Sequence, residues 1–356
     1  MNIRLLHHLP PKKDNPRNSE GAFIRGKNGE ILFAYSRYHG DSVLDNAPSD
    51  IAMIVSYDEG ESWSEEQILV HAAEVGTKNV MSVSAVEQQN GDIAFYFLIN
   101  ENNGDSSLGR TVSADGKTWH TERCKWDAPA GFYVINNDRI VRLKDGTLVA
   151  PASVCSAEEI EKEYRGLIAR MDATALISKD DGKTFTRVPW LYSVENPAPW
   201  MHGFEEPGII EFSDHLYYWM RTGLGSQYES VSDAGINGFF APRPSEFTSP
   251  ESPMQIKAFD GVAYAIYNPI PKYNGRVSIH GAWGRTPYVL RRSTDHGKTW
   301  GPLNTIEDDP SRGYCYPAVF KTRDNCLLLA YCRGNLEDGN PLCRIGISKV
   351  EIASIE

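Results

Sequence analysis

Arg221 closes the apolar run LYYWMR, a place where an unpaired guanidinium is costly. Upstream, EEPGIIEF opens on Glu205 and Glu206, of which one is expected to face a site and the other solvent. Tyr314 and Tyr316 alternate in GYCYPAVF, so both should point to one side of a strand and either can be the phenol of a pocket. Arg285 lies in WGRTPYV, a short way before a polar turn. Asp45 sits in the loop HGDSVLDNAPSD, and Asp50 ends that loop, where it can equally cap the strand that follows. Asn137 and Arg139 belong to NNDR, read either as a turn or as polar groups at a strand start. Arginine and carboxylate at positions that a β-fold normally fills with apolar side chains suggest anion binding, because the planar guanidinium suits a carboxylate. No phosphate-cradling glycine loop, HExxH helix or Ser-His-Asp order is present. The nine histidines show no metal spacing, so neither a catalytic metal nor another cofactor is expected.

The elements that must position these residues are repeated. SYDEGESW (56–63), SADGKTW (113–119), SKDDGKTF (178–185) and STDHGKTW (293–300) are versions of one turn, and SDAGINGF (232–239) is a decayed fifth. In each, the Asp can bond backbone N–H groups about two residues on, the Gly supplies positive φ, and the aromatic packs onto a sheet. A second pattern pairs an alternating strand with an apolar return strand across a tight turn, from Gly21, Ser82, Asp138, Pro207, Met254 and Ala318. Six such units at roughly 45–70-residue spacing predict an all-β chain, a single six-bladed β-propeller over residues 1–356. Closure is expected between the N-terminal strand near Ile3–Leu6 and the C-terminal strand RIGISKVEI. A polar insertion near 155–168, with a candidate helix from Ala157, decorates one blade. In such a fold the inner strands converge on a central pocket, and polar residues at their ends are the first site candidates.

Composition narrows the partners. The formal net charge of −11 argues against nucleic acid, which requires a basic field. No apolar run approaches the length of a membrane span. The N-terminus lacks a signal-peptide pattern, and the six scattered cysteines form no CxxC pair. Reduced thiols in a cytoplasmic protein are therefore expected.

The repeated turns resemble the Asp-boxes of sialidase-type propellers, and the resemblance extends over most of the chain. EEPGIIEFSDHLYYWMR is similar to the fourth-blade signature of exo-sialidases. There Glu206 matches the glutamate that polarises a tyrosine nucleophile, and Arg221 one of three arginines that grip the sugar carboxylate. By the same resemblance Arg285 matches a second arginine, Tyr314 the nucleophile (with Cys315 in place of the usual serine) and Asp45 the acid/base, with Asp50 as its alternative. The resemblance implies a retaining glycoside hydrolase whose partner is the terminal, acidic sugar of a glycan. The chemistry is coherent: a neutral phenol is not repelled by a carboxylate at the anomeric carbon, and sialidases are an exception to the two-carboxylate pattern of glycosidases. One departure stands out. Where sialidases carry Arg-Ile-Pro in the first blade, this chain has Ser19-Glu20-Gly21. Arg17, Arg25 or Arg37 can fill the arginine's place, or Glu20 can bind the hydroxyls of a different sugar. Three alternatives stay open: another terminal sugar such as a uronic acid, a lyase, and a non-catalytic carbohydrate-binding propeller.

Overall fold

A computed structural model describes residues 1–101, 105–156, 158–159, 169–194, 202–271 and 283–356. Most of the polar insertion predicted near 155–168 lies outside them. The described chain is all-β, with helix limited to short turns such as Ala72–Val75. Its antiparallel sheets form a propeller-like arrangement.

Two of the sheets run from an inner strand outward by consecutive hairpins. One has the order Glu205–Glu211, Leu216–Arg221, Ser226–Ser232, Arg243–Thr248. The next has the order Gln255–Phe259, Val262–Tyr267, Tyr288–Ser293, Asn304–Glu307. A six-stranded sheet is centred on Leu148–Ser156, and an eight-stranded sheet covers Asn18–Arg25 through His120–Arg123. In the last sheet the N-terminal strand Ile3–Leu9 pairs antiparallel with Ile345–Glu351. This closure ties the two ends of the chain together, as expected from the sequence.

The repeated turns explain why these hairpins form. In SYDEGESW the Ser56 hydroxyl accepts the Gly60 N–H at 2.8 Å, and Asp58 accepts the Ser62 N–H at 2.9 Å. Asp180 and Asp295 accept the N–H groups of Thr184 and Thr299 in the same way. The Asp thus reaches four residues on, not two. Only in the copy that is one residue short does Asp115 bond the nearer Lys117 and Thr118. Burial opposes but does not outweigh these bonds at Asp58 and Asp180, and both carboxyls lie below the usual carboxylate range. The aromatics then pack into the sheets. Trp63 lies against Phe23 and Phe33, Trp119 against Phe95, Phe185 against Tyr96 and Trp300 against Phe247. In the decayed copy the Asp is not used: the Ser232 hydroxyl donates to the Gly235 carbonyl.

One irregularity positions the site. Pairing slips between Ser19 and Ala22, Met81 and Ser84, Glu205 and Gly208, and Cys315 and Ala318, which is a β-bulge in four inner strands. Within these bulges Glu20 (φ 57°), Ser82 (57°), Glu206 (42°) and Tyr316 (55°) adopt positive φ. None is glycine, so each costs about 1–3 kcal/mol of backbone strain. Strain of this kind persists where the surrounding fold enforces it, and here the four side chains converge.

Candidate active site

The four bulged residues line one cavity of about 320 Å³, together with Asp45, Glu205, Arg221 and Arg285. Its centre is a pair. The Tyr316 hydroxyl donates to Glu206 Oε1 at 2.7 Å, and Arg221 Nη1 donates to Glu206 Oε2 at 2.6 Å. Burial opposes ionisation of Glu206, but Arg221, the Tyr316 hydroxyl and Arg285 hold its carboxyl below the usual range. Burial and the Glu206 charge push the Tyr316 phenol far above its ordinary value. The resting pair is therefore a neutral phenol bonded to a carboxylate that can take its proton.

Arginines surround the pair. Arg221 Nε lies 3.5 Å from Glu205 Oε2, so one guanidinium faces two buried carboxyls. Arg285 lies 5.7 Å from the Tyr316 ring and 5.2 Å from Trp283. Its Nη1 meets Cys315 Sγ at 3.1 Å. Burial pushes the Cys315 thiol up, but a hydrogen bond with Cys332 and the Arg285 charge bring it down to about 7. Among the described residues Arg285 pairs with no carboxylate.

The first inner strand supplies a different corner. Arg17 is buried beneath Tyr38 and bonds Asp45 Oδ1 at 2.6 Å, with Glu20 Oε2 3.6 Å away. The Asp45 carboxylate is 71% exposed, at the rim of the cavity. Burial pushes the Glu20 carboxyl up to about 8 against the pull of Arg17, and Asp45 and Glu206 push the same way.

Several sequence expectations need correction. Tyr314 does not line the cavity. It is fully buried, stacks on Tyr288 at 6.0 Å and packs edge-on to Tyr331. The alternation that put Tyr314 and Tyr316 on one side fails because the bulge at Tyr316 reverses the backbone between them. Asp50 is also elsewhere: its Oδ1 accepts the Ala72 N–H at 2.8 Å and its Oδ2 meets His71 Nδ1 at 3.2 Å, capping the short helix there. Asp50→Ala should lower stability by about 1 kcal/mol in a denaturant titration and leave any turnover unchanged. Arg37 pairs with Glu66 at 3.1 Å and Arg25 with Glu59 at 2.6 Å, both away from the cavity. Arg17, just before the first inner strand, stands next to the cavity, and Arg25 and Arg37 do not. Glu205 is buried rather than solvated. Asn137 and Arg139 brace the site from below. Asn137 donates to the carbonyls of Gly21 and Tyr316, and Arg139 donates to Gln255 and lies over Trp219.

Residues that the sequence reasoning missed include Ser82, Met171 and Trp283, which line the cavity together with Asn136 of the NNDR stretch. A signal for the bulge was present. Glu20, Ser82, Glu206 and Tyr316 each precede the second residue of the next turn (Asn28, Asn90, Asp214, Asp324) by eight positions. That offset selects Tyr316 over Tyr314.

The model of the BNR repeat-like domain matches residues 38–329. The chain belongs to the BNR repeat-like family. No curated protein matches its sequence. Among solved structures, this BNR repeat-like chain is similar to the Hadza microbial sialidase Hz136, with 16% identity and a TM-score of 0.72. That match covers 96% of this chain and 66% of the sialidase, so the BNR repeat-like chain spans about two thirds of its length. It is similar to a protein of unknown function from Dyadobacter fermentans, with 16% identity, a TM-score of 0.70 and coverage of 98% and 99%. It is also similar to the NanB sialidase of Streptococcus pneumoniae, with 12% identity, a TM-score of 0.71 and coverage of 99% and 71%. At these identities the BNR repeat-like chain shares a fold with them.

Proposed function

We propose that this protein is a sialidase-like glycoside hydrolase that removes a terminal, acidic sugar with retention, using Tyr316 as nucleophile. The observation that carries the proposal is the 2.7 Å hydrogen bond from the Tyr316 hydroxyl to Glu206 Oε1, at the floor of a cavity walled by Arg221 and Arg285. The scaffold is a six-bladed propeller. Six blades are supported by the eight-stranded sheet, whose two four-strand units are joined at the Ser49–Asn79 bridge.

In the first step Tyr316 Oη attacks the anomeric carbon, its proton passes to Glu206 Oε1, and the bond to the leaving oxygen breaks. Asp45, at the open rim, takes up a proton from solvent on leaving Arg17 and gives it to that oxygen. In the second step Asp45 takes a proton from water, the water oxygen attacks the same carbon, and Tyr316 recovers its proton from Glu206. Arg285, free of any described carboxylate partner, grips the sugar's acidic group, assisted by Arg221.

The test is release of a fluorogenic aglycone from a panel of acidic aryl glycosides, comparing wild type with Glu206→Gln. Release by wild type and its loss by about 100-fold or more in the variant is the expected result. Saturable binding of the panel with no release by either protein would move the chain to the carbohydrate-binding reading.

A further inference from the structure

The charges around the cavity are unevenly shared. Arg221 is occupied by Glu206 at 2.6 Å and Glu205 at 3.5 Å, and Arg17 by Asp45 at 2.6 Å. Glu20 is left with little. Its Oε2 lies 3.6 Å from Arg17 Nη2, an atom that is buried without a hydrogen-bond partner among the described residues, and 3.4 Å from the Ser19 hydroxyl. A buried carboxyl with no close donor favours its neutral form, in which it both donates and accepts. Its raised proton affinity agrees with this.

The position of Glu20 shows what it can touch. Glu20 and Tyr316 occupy the same bulge in neighbouring inner strands, Asn18–Arg25 and Cys315–Lys321, and both face the cavity. Asn137 bonds the backbone at both bulges, to the Gly21 and Tyr316 carbonyls, and fixes one against the other. A sugar held against Tyr316 in this cavity is therefore also exposed to Glu20. The sugar position next to the anomeric carbon either bears a hydroxyl, as in aldoses and hexuronic acids, or is a bare methylene, as in 3-deoxy-ulosonic acids.

We infer that Glu20 is a specificity-determining residue that hydrogen-bonds a hydroxyl on the ring carbon next to the anomeric centre, so that the cavity takes a hexuronic acid in preference to a 3-deoxy-ulosonic acid. This rests on the glycosidase reading above and narrows its substrate. Hydrogen bonds at that hydroxyl strengthen towards the oxocarbenium-like transition state. A site built to bond a hydroxyl also rejects the analogue that lacks it, because its buried polar groups are then left unpaired. Arg17 acts through Glu20 as a positioning residue, held in turn by Asp45 and Ser19.

The test compares wild type, Glu20→Gln and Glu20→Ala on three aryl glycosides: a hexuronide, its 2-deoxy analogue and an α-sialoside. In parallel, binding of free hexuronic acid, its 2-deoxy form and N-acetylneuraminic acid is measured by calorimetry. The expected result is at least a 100-fold preference of wild type for the hexuronide over both deoxy substrates. Glu20→Ala should reduce that preference to within about tenfold, and Glu20→Gln, which keeps a donor and an acceptor, should retain part of it. Equal use of the sialoside, a preference unchanged in Glu20→Ala, or no binding of hexuronic acid overturns the inference. The two readings fail separately. Glu20-dependent hexuronic acid binding without turnover sinks the hydrolase and leaves the sugar assignment standing. Sialoside hydrolysis that depends on Tyr316 but not on Glu20 does the reverse.

Discussion

Tyr316→Phe is expected to lower kcat on any turned-over glycoside by at least about a thousandfold, and Tyr314→Phe to leave it within about twofold. The two tyrosines stand two residues apart and differ in everything the reaction needs. The Tyr316 hydroxyl bonds Glu206 Oε1 at 2.7 Å inside the cavity. The Tyr314 hydroxyl is buried with no hydrogen-bond partner among the described residues, within the cluster that contains Tyr288 and Tyr331. Removing a nucleophile ends the covalent route. Removing an unpartnered buried hydroxyl removes a desolvation penalty, so Tyr314→Phe should be as stable as wild type or up to about 1 kcal/mol more stable. Steady-state kinetics with a denaturant titration of both variants checks this. A Tyr314→Phe protein that is folded and inactive would overturn the assignment.

Arg221→Met should cost about 3–5 kcal/mol of stability, because it leaves Glu205 and Glu206 buried without their shared guanidinium. The cost should depend on pH with a definite sign. In wild type Arg221 helps hold the Glu206 carboxyl below its ordinary range, so this pairing stabilises above the unfolded pKa and is lost as pH falls through the folded one. Without Arg221, burial dominates and the folded pKa rises above the unfolded value. The variant is then weakest at neutral and higher pH and recovers on mild acidification, as the carboxyls take up protons. Unfolding midpoints across pH 4–8 for wild type, Arg221→Met and Arg221→Met/Glu206→Gln measure this. The double variant should recover part of the loss at pH 7, since it carries one buried charge fewer. A single variant that is as stable as wild type at pH 7 would show that the pair is not desolvated as the structure has it.

The sequence made the fold legible through its turns. Ser, Asp, Gly and an aromatic at fixed spacing act locally: the serine and aspartate bond backbone N–H groups within four residues, and the glycine takes the positive φ. Because each copy contains its own cause, the hairpins, the repeat and the closing strand could be read without long-range information. Arg221 was legible for a related reason: a charged group ending an apolar strand must find a partner, and it finds Glu206 in the cavity, whereas Glu206 and Arg285 were singled out through the resemblance.

Other features were decided only in three dimensions. Whether Tyr314 or Tyr316 is the pocket phenol depends on a bulge that breaks the period-2 rule, and the bulge is enforced by neighbours such as Asn137, far away in sequence. Asp50 and Asp45, five positions apart in one loop, separated because a backbone N–H at Ala72 captured the first and Arg17 the second. Glu205, expected in solvent, is buried because Arg221 draws both carboxyls inward. The sequence by itself determined an all-β propeller-like chain and the residue types that meet at its axis, since turns and strand patterning are local properties. The tertiary structure alone decided which side chains face the cavity and which charges remain unpaired, since strand register, burial and ion pairing are relations between distant segments.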